Sequence, residues 1–139
     1  AKDVDLPLIV HCRNAWEDTF DLVDGFQNQG YKLQGVFHSF TGGVDEAKKA
    51  IDLGFYISFS GIVTFKNAKN IQEAAKWAPA DKFLFETDSP YLAPEPIRGQ
   101  KNSPENVKII ATFLSNLRNT SFEAICEQSS SNIRGLFSI

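Results

Sequence analysis

The chain has 139 residues, of which 42% are hydrophobic and 12% aromatic, enough to build one compact core and too apolar for a disordered chain. A formal net charge of −3 gives no general attraction for a polyanion, so any contact with nucleic acid depends on local cations. No apolar run is long enough to cross a bilayer, and the two cysteines lack a CxxC spacing. We therefore expect a soluble cytoplasmic protein with free thiols and no membrane partner.

Short apolar runs alternate with longer amphipathic segments, a pattern typical of βα units built around a parallel sheet. Strands are predicted at residues 6–10, 32–37, 55–65 and 82–85, with a break in the third strand at Gly61. The helices between them follow the apolar spacing of residues 16–23, 44–51 and 71–78. The sequence therefore predicts an α/β protein with four βα units.

A Pro-rich stretch at residues 91–102 follows the fourth strand and is too long for a tight connection, which indicates a functional loop. Ser103 and Pro104 then predict a helix start, with the serine as its cap. A last helix is predicted to begin at Thr120, because Glu123 stands three residues later in capping-box spacing.

Three residues of ligand type follow three of the predicted strands. His11 comes after LPLIV, His38 after LQGVF, and Asp88 just beyond FLF. A single histidine at a strand end is more often a satisfied polar residue than a ligand. Three such residues at equivalent places are better explained by a shared site, because the carboxyl ends of parallel strands meet at one rim. Imidazole and carboxylate suit zinc, manganese or iron, and additional carboxylates favour magnesium or manganese.

Three short motifs occur in order along the chain: HCRNA from His11, FHSFTG from Phe37, and ETDSPYL from Glu86. Together they resemble signature blocks of TatD-type metal-dependent deoxyribonucleases. The resemblance implies a TIM-type (β/α) barrel, of which residues 1–139 would be the C-terminal half, about the last four βα units plus C-terminal helices. It also implies a centre of two divalent metal ions (Mg, Mn or Zn) that hydrolyses phosphodiester bonds of DNA, often from a 3′ end.

Carried over by position, the resemblance implies that His11 and His38 bind one metal and Asp88 the other. Asp88 would also orient or deprotonate the attacking water. Arg13 and Arg98 match basic positions beside the site and are expected to contact substrate phosphates. A surface ion pair is an equal alternative for either arginine.

Two neighbours of these residues carry open alternatives. Glu86 stands two residues before Asp88, so it is expected either to support the metal site from behind or to be a packed acid that pairs with Lys82 or with a residue missing from this chain. Cys12 is expected to be a small buried core residue.

The resemblance further implies a His-x-His pair and a bridging glutamate upstream of Ala1. Without them the chain is expected to bind metal weakly and to be inactive by itself. Four βα units leave open strand edges, so the expected partner is the N-terminal half of the barrel or a second copy of the chain. Alternative hypotheses are hydrolysis of a different phosphodiester or an amide, and a non-catalytic half-barrel module.

Overall fold

A parallel four-stranded sheet forms the centre of the fold. The computed structural model describes residues 1–139 apart from the side chain of Lys2. All neighbouring strands are parallel, and their order in the sheet follows their order in the chain. The strands are β1 (Leu8–His11), β2 (Gly35–His38), β3 (Phe55–Phe59) and β4 (Phe83–Phe85).

Helices connect the strands in the way that the alternating pattern predicted, which confirms the α/β fold class. Three helices lie between successive strands and two follow β4. They are α1 (Trp16–Asn28), α2 (Val44–Asp52), α3 (Lys69–Trp77), α4 (Val107–Leu117) and α5 (Phe122–Phe137). Within the described residues, none of these helices has the length and apolar character needed to span a membrane.

The two faces of the sheet are covered differently. Large apolar side chains on one face pack against all five helices and form the main core. On the other face, a smaller cluster joins Val36 and Leu84 to Leu136 of α5, with Tyr56 and Phe137 packed against it. Burying side chains of this size contributes roughly 1.5–3 kcal/mol each. The members of the main core that come from the strands are Phe37, Phe55, Ile57, Phe59 and Phe83.

Apolar side chains also remain exposed beside the edge strand β1. Leu6 and Ile9 are 62% and 66% exposed, and Leu22 and Phe26 of the adjacent α1 are 65% and 49% exposed. The sheet order leaves one side of β1 without a strand neighbour among the described residues. The edge of β1 is thus unpaired within the described residues and flanked by exposed apolar side chains.

Three of the four strands end at residues that differ from the predictions. β1 and β2 each extend to include the histidine that was expected to follow them, so His11 and His38 are the last residues of their strands. The third strand ends at Phe59, and a 3-10 turn at Gly61–Thr64 replaces its second half. Gly61 is required there because a Cβ would lie 1.9 Å from the carbonyl oxygen of Leu92.

Of the two helix starts predicted near the C-terminus, the one at Ser103 and Pro104 is confirmed in position, whereas the one at Thr120 is wrong by one residue. Ser121, not Thr120, caps α5, and its hydroxyl accepts a hydrogen bond from the backbone N–H of Ala124 at 3.1 Å. Ser103 precedes a 3-10 turn, but its side chain makes no capping hydrogen bond. The buried Asn102 lies just before this turn, and its Oδ1 accepts from the backbone N–H of Ser103 and from the side-chain amide of Asn106, both at 2.9 Å.

Candidate metal site at the carboxyl ends of the strands

His11 and His38 face each other across neighbouring strands. They are paired in the β1–β2 register, and Nδ1 of His11 lies 3.0 Å from Nε2 of His38. Their ring centroids are 5.1 Å apart. His11 is exposed and His38 is partly buried. The parallel register therefore brings together two imidazole nitrogens from residues 27 positions apart in the sequence.

Glu86 lies behind His38. Its Oε1 is 3.8 Å from Nδ1 of His38 and accepts a hydrogen bond from the backbone N–H of Ser39. The backbone N–H of Glu86 donates to the carbonyl oxygen of Phe59 at 3.0 Å, which continues the sheet one residue beyond β4. Of the two roles left open by the sequence, the position of Glu86 matches the one beside the candidate metal site, next to His38. The other candidate partner, Lys82, lies over the ring of Tyr56 at 4.8 Å instead.

Asp88 lies on the same rim but does not join the histidine pair. Its backbone is left-handed, with a φ of 59°, and its carbonyl oxygen accepts from the backbone N–H of Tyr91 at 2.9 Å. The side chain is partly buried, and within the described structure its carboxylate has neither a hydrogen bond nor an ion pair. The structure thus brings together the two histidines predicted to share one metal, while Asp88, predicted for the second metal, makes no contact with them.

The loop that carries Asp88 is held at its base by Asn102, which is 4% exposed. The Asn102 amide donates to the carbonyl oxygens of Thr87 and Tyr91 at 2.9 and 2.7 Å. Further along the loop, the hydroxyl of Thr64 accepts from the backbone N–H of Glu95 at 2.8 Å. Sequence reasoning did not single out either residue. A lone asparagine ahead of Ser-Pro was the only local signal.

The two candidate phosphate-binding arginines have different surroundings. Arg13 is exposed, and its guanidinium has no hydrogen bond or ion pair with any described side chain. Arg98 lies over the ring of Phe65 at 4.0 Å and forms a 4.0 Å ion pair with Glu95. Arg98 therefore already has local partners, whereas Arg13 remains available to a ligand.

The two cysteines are free thiols, as the sequence predicted. Cys12 is 6% exposed and packs in the main core, with its sulfur 3.4 Å from the hydroxyl of Thr19. This placement confirms that Cys12 is a small core residue, although it adjoins His11 in the sequence. Burial raises the pKa of the Cys126 thiol above its ordinary value, and the Glu123 carboxylate raises it further.

The donor chemistry of the rim fits part of a metal site. Two imidazole nitrogens that face each other suit a borderline divalent cation such as zinc, manganese or iron. A catalytic metal takes about three protein ligands. Among the described residues, no group of three or more His, Cys, Asp or Glu side chains is placed to hold one metal ion. His11 and His38 can therefore supply two positions of a coordination shell.

This architecture defines the class of the protein: a series of βα units with ligand-type side chains at the carboxyl rim, as in (β/α) barrels. Comparison with known proteins identifies the family. The family model for TatD related DNase matches residues 1–138, and the chain belongs to that family.

Individual relatives agree with this assignment. The chain is 46% identical over 133 residues to an uncharacterized metal-dependent hydrolase of Buchnera aphidicola, covering 96% of this chain and 50% of that protein. It is 42% identical over 138 residues to the uncharacterized metal-dependent hydrolase YcfH of Escherichia coli, covering 99% and 51%. The crystal structure of YjjV, a TatD homolog from E. coli, superposes with a TM-score of 0.91 at 27% identity, covering 100% and 52%. The chain thus spans about half the length of the relatives it matches.

Proposed function

We propose that this chain provides one side of the active site of a divalent-metal-dependent hydrolase that cleaves phosphodiester bonds of DNA. The observation that carries the proposal is the 3.0 Å approach of His11 Nδ1 and His38 Nε2 at the carboxyl ends of adjacent parallel strands. Active sites of (β/α) barrels lie at that end of the strands. Membership of the TatD related DNase family supports DNA as the substrate.

In the complete enzyme, His11 and His38 would hold one divalent metal ion and Asp88 a second. When bound, such ions supply Lewis acidity and a nucleophile at neutral pH. Asp88 is proposed as the catalytic residue that orients the attacking water and accepts its proton. The absence of a competing partner for its carboxylate supports that role, since a general base must keep a lone pair for the reacting proton.

Arg13 is the stronger candidate for a phosphate contact. Its guanidinium is exposed, follows His11 by two residues and has no local ion pair with the described side chains. Arg98 would have to give up its Glu95 ion pair, although its position over Phe65 leaves part of the guanidinium accessible. A guanidinium binds a phosphodiester by two parallel hydrogen bonds, which a lysine does not match.

The remaining ligands and strands are proposed to come from polypeptide outside these 139 residues. The relatives are about twice as long as the chain, and the exposed apolar side chains beside β1 provide a surface for further βα units. Supply of that part by an N-terminal half is favoured over a second copy of this chain, because the relatives carry about twice the length of this chain in one polypeptide. Two free thiols are in keeping with a cytoplasmic enzyme.

The experiment joins this chain to the upstream half of E. coli YcfH and measures cleavage of a 3′-labelled DNA oligonucleotide with Mg²⁺ or Mn²⁺. Loss of a group that only supports a ligand costs about 10–100-fold in affinity or activity. His38→Ala and Asp88→Ala should therefore lower the rate by at least about 100-fold. Asp52→Ala, at the far end of α2, is the matched control and should have no effect. DNA cleavage that persists unchanged in the His38 and Asp88 variants contradicts the proposal.

A further inference from the structure

We propose that Glu86 is a positioning residue that selects the tautomer of His38 and so determines which ring nitrogen faces His11. This inference extends the proposed metal site but rests on the geometry of the metal-free chain. Residues two apart in an extended strand point to the same face, so Glu86 lies on the face of Leu84, whose side chain joins the cluster that includes Val36. Val36 and His38 also share a face of β2. Glu86 therefore meets His38 on the face that carries the histidine pair.

The backbone of Ser39 fixes the carboxylate in place. Ser39 has a φ of 46°, a left-handed conformation that non-glycine residues adopt only rarely. In that conformation its N–H donates to Oε1 of Glu86. The Ser39 hydroxyl is buried and lies 2.8 Å from the hydroxyl of Ser60, and the next N–H, from Phe40, donates to Ser58 at 2.8 Å. These contacts on both sides hold the unusual conformation.

The carboxylate determines the protonation pattern of the neutral histidine. An ionised carboxylate only accepts hydrogen bonds, so the ring nitrogen beside it, Nδ1 of His38, is favoured to carry the proton. Nε2 of His38 then keeps its lone pair and points at Nδ1 of His11, which must be the donor when no metal is present. His38 thus presents an unprotonated nitrogen in advance to any cation that enters between the rings. Glu86 touches no reacting atom and acts through His38.

The chain contains only two histidines, so NMR can read this arrangement directly. Long-range ¹H–¹⁵N spectra of the ¹⁵N-labelled chain at about pH 8.5, where histidine is ordinarily neutral, report the tautomer of each ring. The spectrum of His11→Gln assigns the signals of His38. In the unsubstituted chain we expect His38 to be predominantly protonated on Nδ1.

Glu86→Gln keeps the shape and the acceptor for Ser39 but removes the charge. Oε1 of Glu86 lies 3.8 Å from Nδ1 of His38, an electrostatic contact rather than a hydrogen bond, so removing the charge should lower the Nδ1–H to Nε2–H ratio of His38 roughly fivefold. Glu86→Leu should lower it further, and Glu127→Gln, an exposed change on α5, should leave it unaltered. The affinity for Zn²⁺ alone should fall by about 10–100-fold in Glu86→Leu.

An unaltered His38 ratio in the folded Glu86→Gln chain overturns the proposal, whatever the behaviour of Glu86→Leu. A parallel loss in Glu127→Gln would also overturn it, because the effect would then not be specific to the carboxylate beside His38. The ratio is measured without metal or DNA. A failed DNA-cleavage assay therefore does not contradict this inference. Conversely, a His38 tautomer ratio that Glu86→Gln leaves unchanged does not contradict the proposed nuclease activity, which the cleavage assay tests.

Discussion

Replacing Gly61 with alanine tests how closely the loop after β4 packs on the turn after β3. The added Cβ would lie 1.9 Å from the carbonyl oxygen of Leu92 and 3.1 Å from both the carbonyl carbon of Leu92 and the nitrogen of Pro94. All three obstructing atoms are backbone, so no side-chain rotation relieves the clash. Real Cβ contacts essentially never fall below 3.0 Å, so one of the two segments must move by about 1 Å.

Overpacking of this kind lowers the free energy of unfolding by about 1–3 kcal/mol. The usual gain from restricting the unfolded chain, about 0.4–1 kcal/mol, offsets only part of it. We therefore expect Gly61→Ala to lower the free energy of unfolding by about 1–2 kcal/mol. Gly25→Ala is the matched control, because Gly25 lies within α1 and nothing stands within 4 Å of its added Cβ. The control should raise the free energy of unfolding by about 0.5–1 kcal/mol.

Urea unfolding followed by the fluorescence of Trp16 and Trp77 measures both variants. The m-value should stay constant while the midpoint moves in opposite directions. Backbone chemical-shift changes in Gly61→Ala should concentrate at residues 88–94, which include Asp88. A Gly61→Ala chain as stable as Gly25→Ala would refute the close approach of the two loops on which the position of Asp88 depends.

Three further changes test other parts of the structure. Asn102→Ala should lower the free energy of unfolding by about 1–3 kcal/mol, measured by urea unfolding, because it leaves buried backbone groups of the Asp88 loop without partners. Arg118→Met should also lower the free energy of unfolding by about 1–3 kcal/mol, because the Arg118 guanidinium donates to carbonyl oxygens in the last turn of α3. An equal urea midpoint for Arg118→Met and the parent chain would contradict this. The pKa of the Cys126 thiol is raised, so at pH 8 a smaller fraction of Cys126 is thiolate than in an unperturbed cysteine. In a Cys12→Ala background, the alkylation rate of Cys126 should therefore rise at higher pH than that of an unperturbed cysteine. Glu123→Gln should shift that rate profile toward lower pH, and a profile that Glu123→Gln leaves in place would show that the carboxylate has no influence.

The sequence predicted the βα organisation because each strand is a short apolar run and each helix has a regular apolar spacing. It was less accurate at boundaries, where local signals compete. Thr120 and Ser121 are both good caps, and only the path of the chain into α5 selects Ser121. The break predicted at Gly61 is confirmed, but the sequence did not indicate that the strand ends at Phe59 or that the loop after β4 packs against Gly61.

The candidate site was predictable in composition but not in contacts. The positions of His11, His38 and Asp88 at strand ends could be read from the sequence, because parallel strands share a rim. Asp88 has a left-handed backbone, which the sequence did not indicate, and it forms no three-residue cluster with the histidine pair. The sequence left Glu86 with two possible partners, and the alternation of β4 together with the turn at Ser39 placed it beside His38.

The sequence by itself determined the apolar spacing of each helix and the approximate position of each strand end, because these features depend on residues close together in the chain. Only the tertiary structure decided which side chains meet. The contact of His11 with His38 spans 27 residues, and the hydrogen bond from Ser39 to Glu86 spans 47. Contacts of that range follow from strand register and helix packing, and these are fixed by burial of the whole core rather than by any one segment.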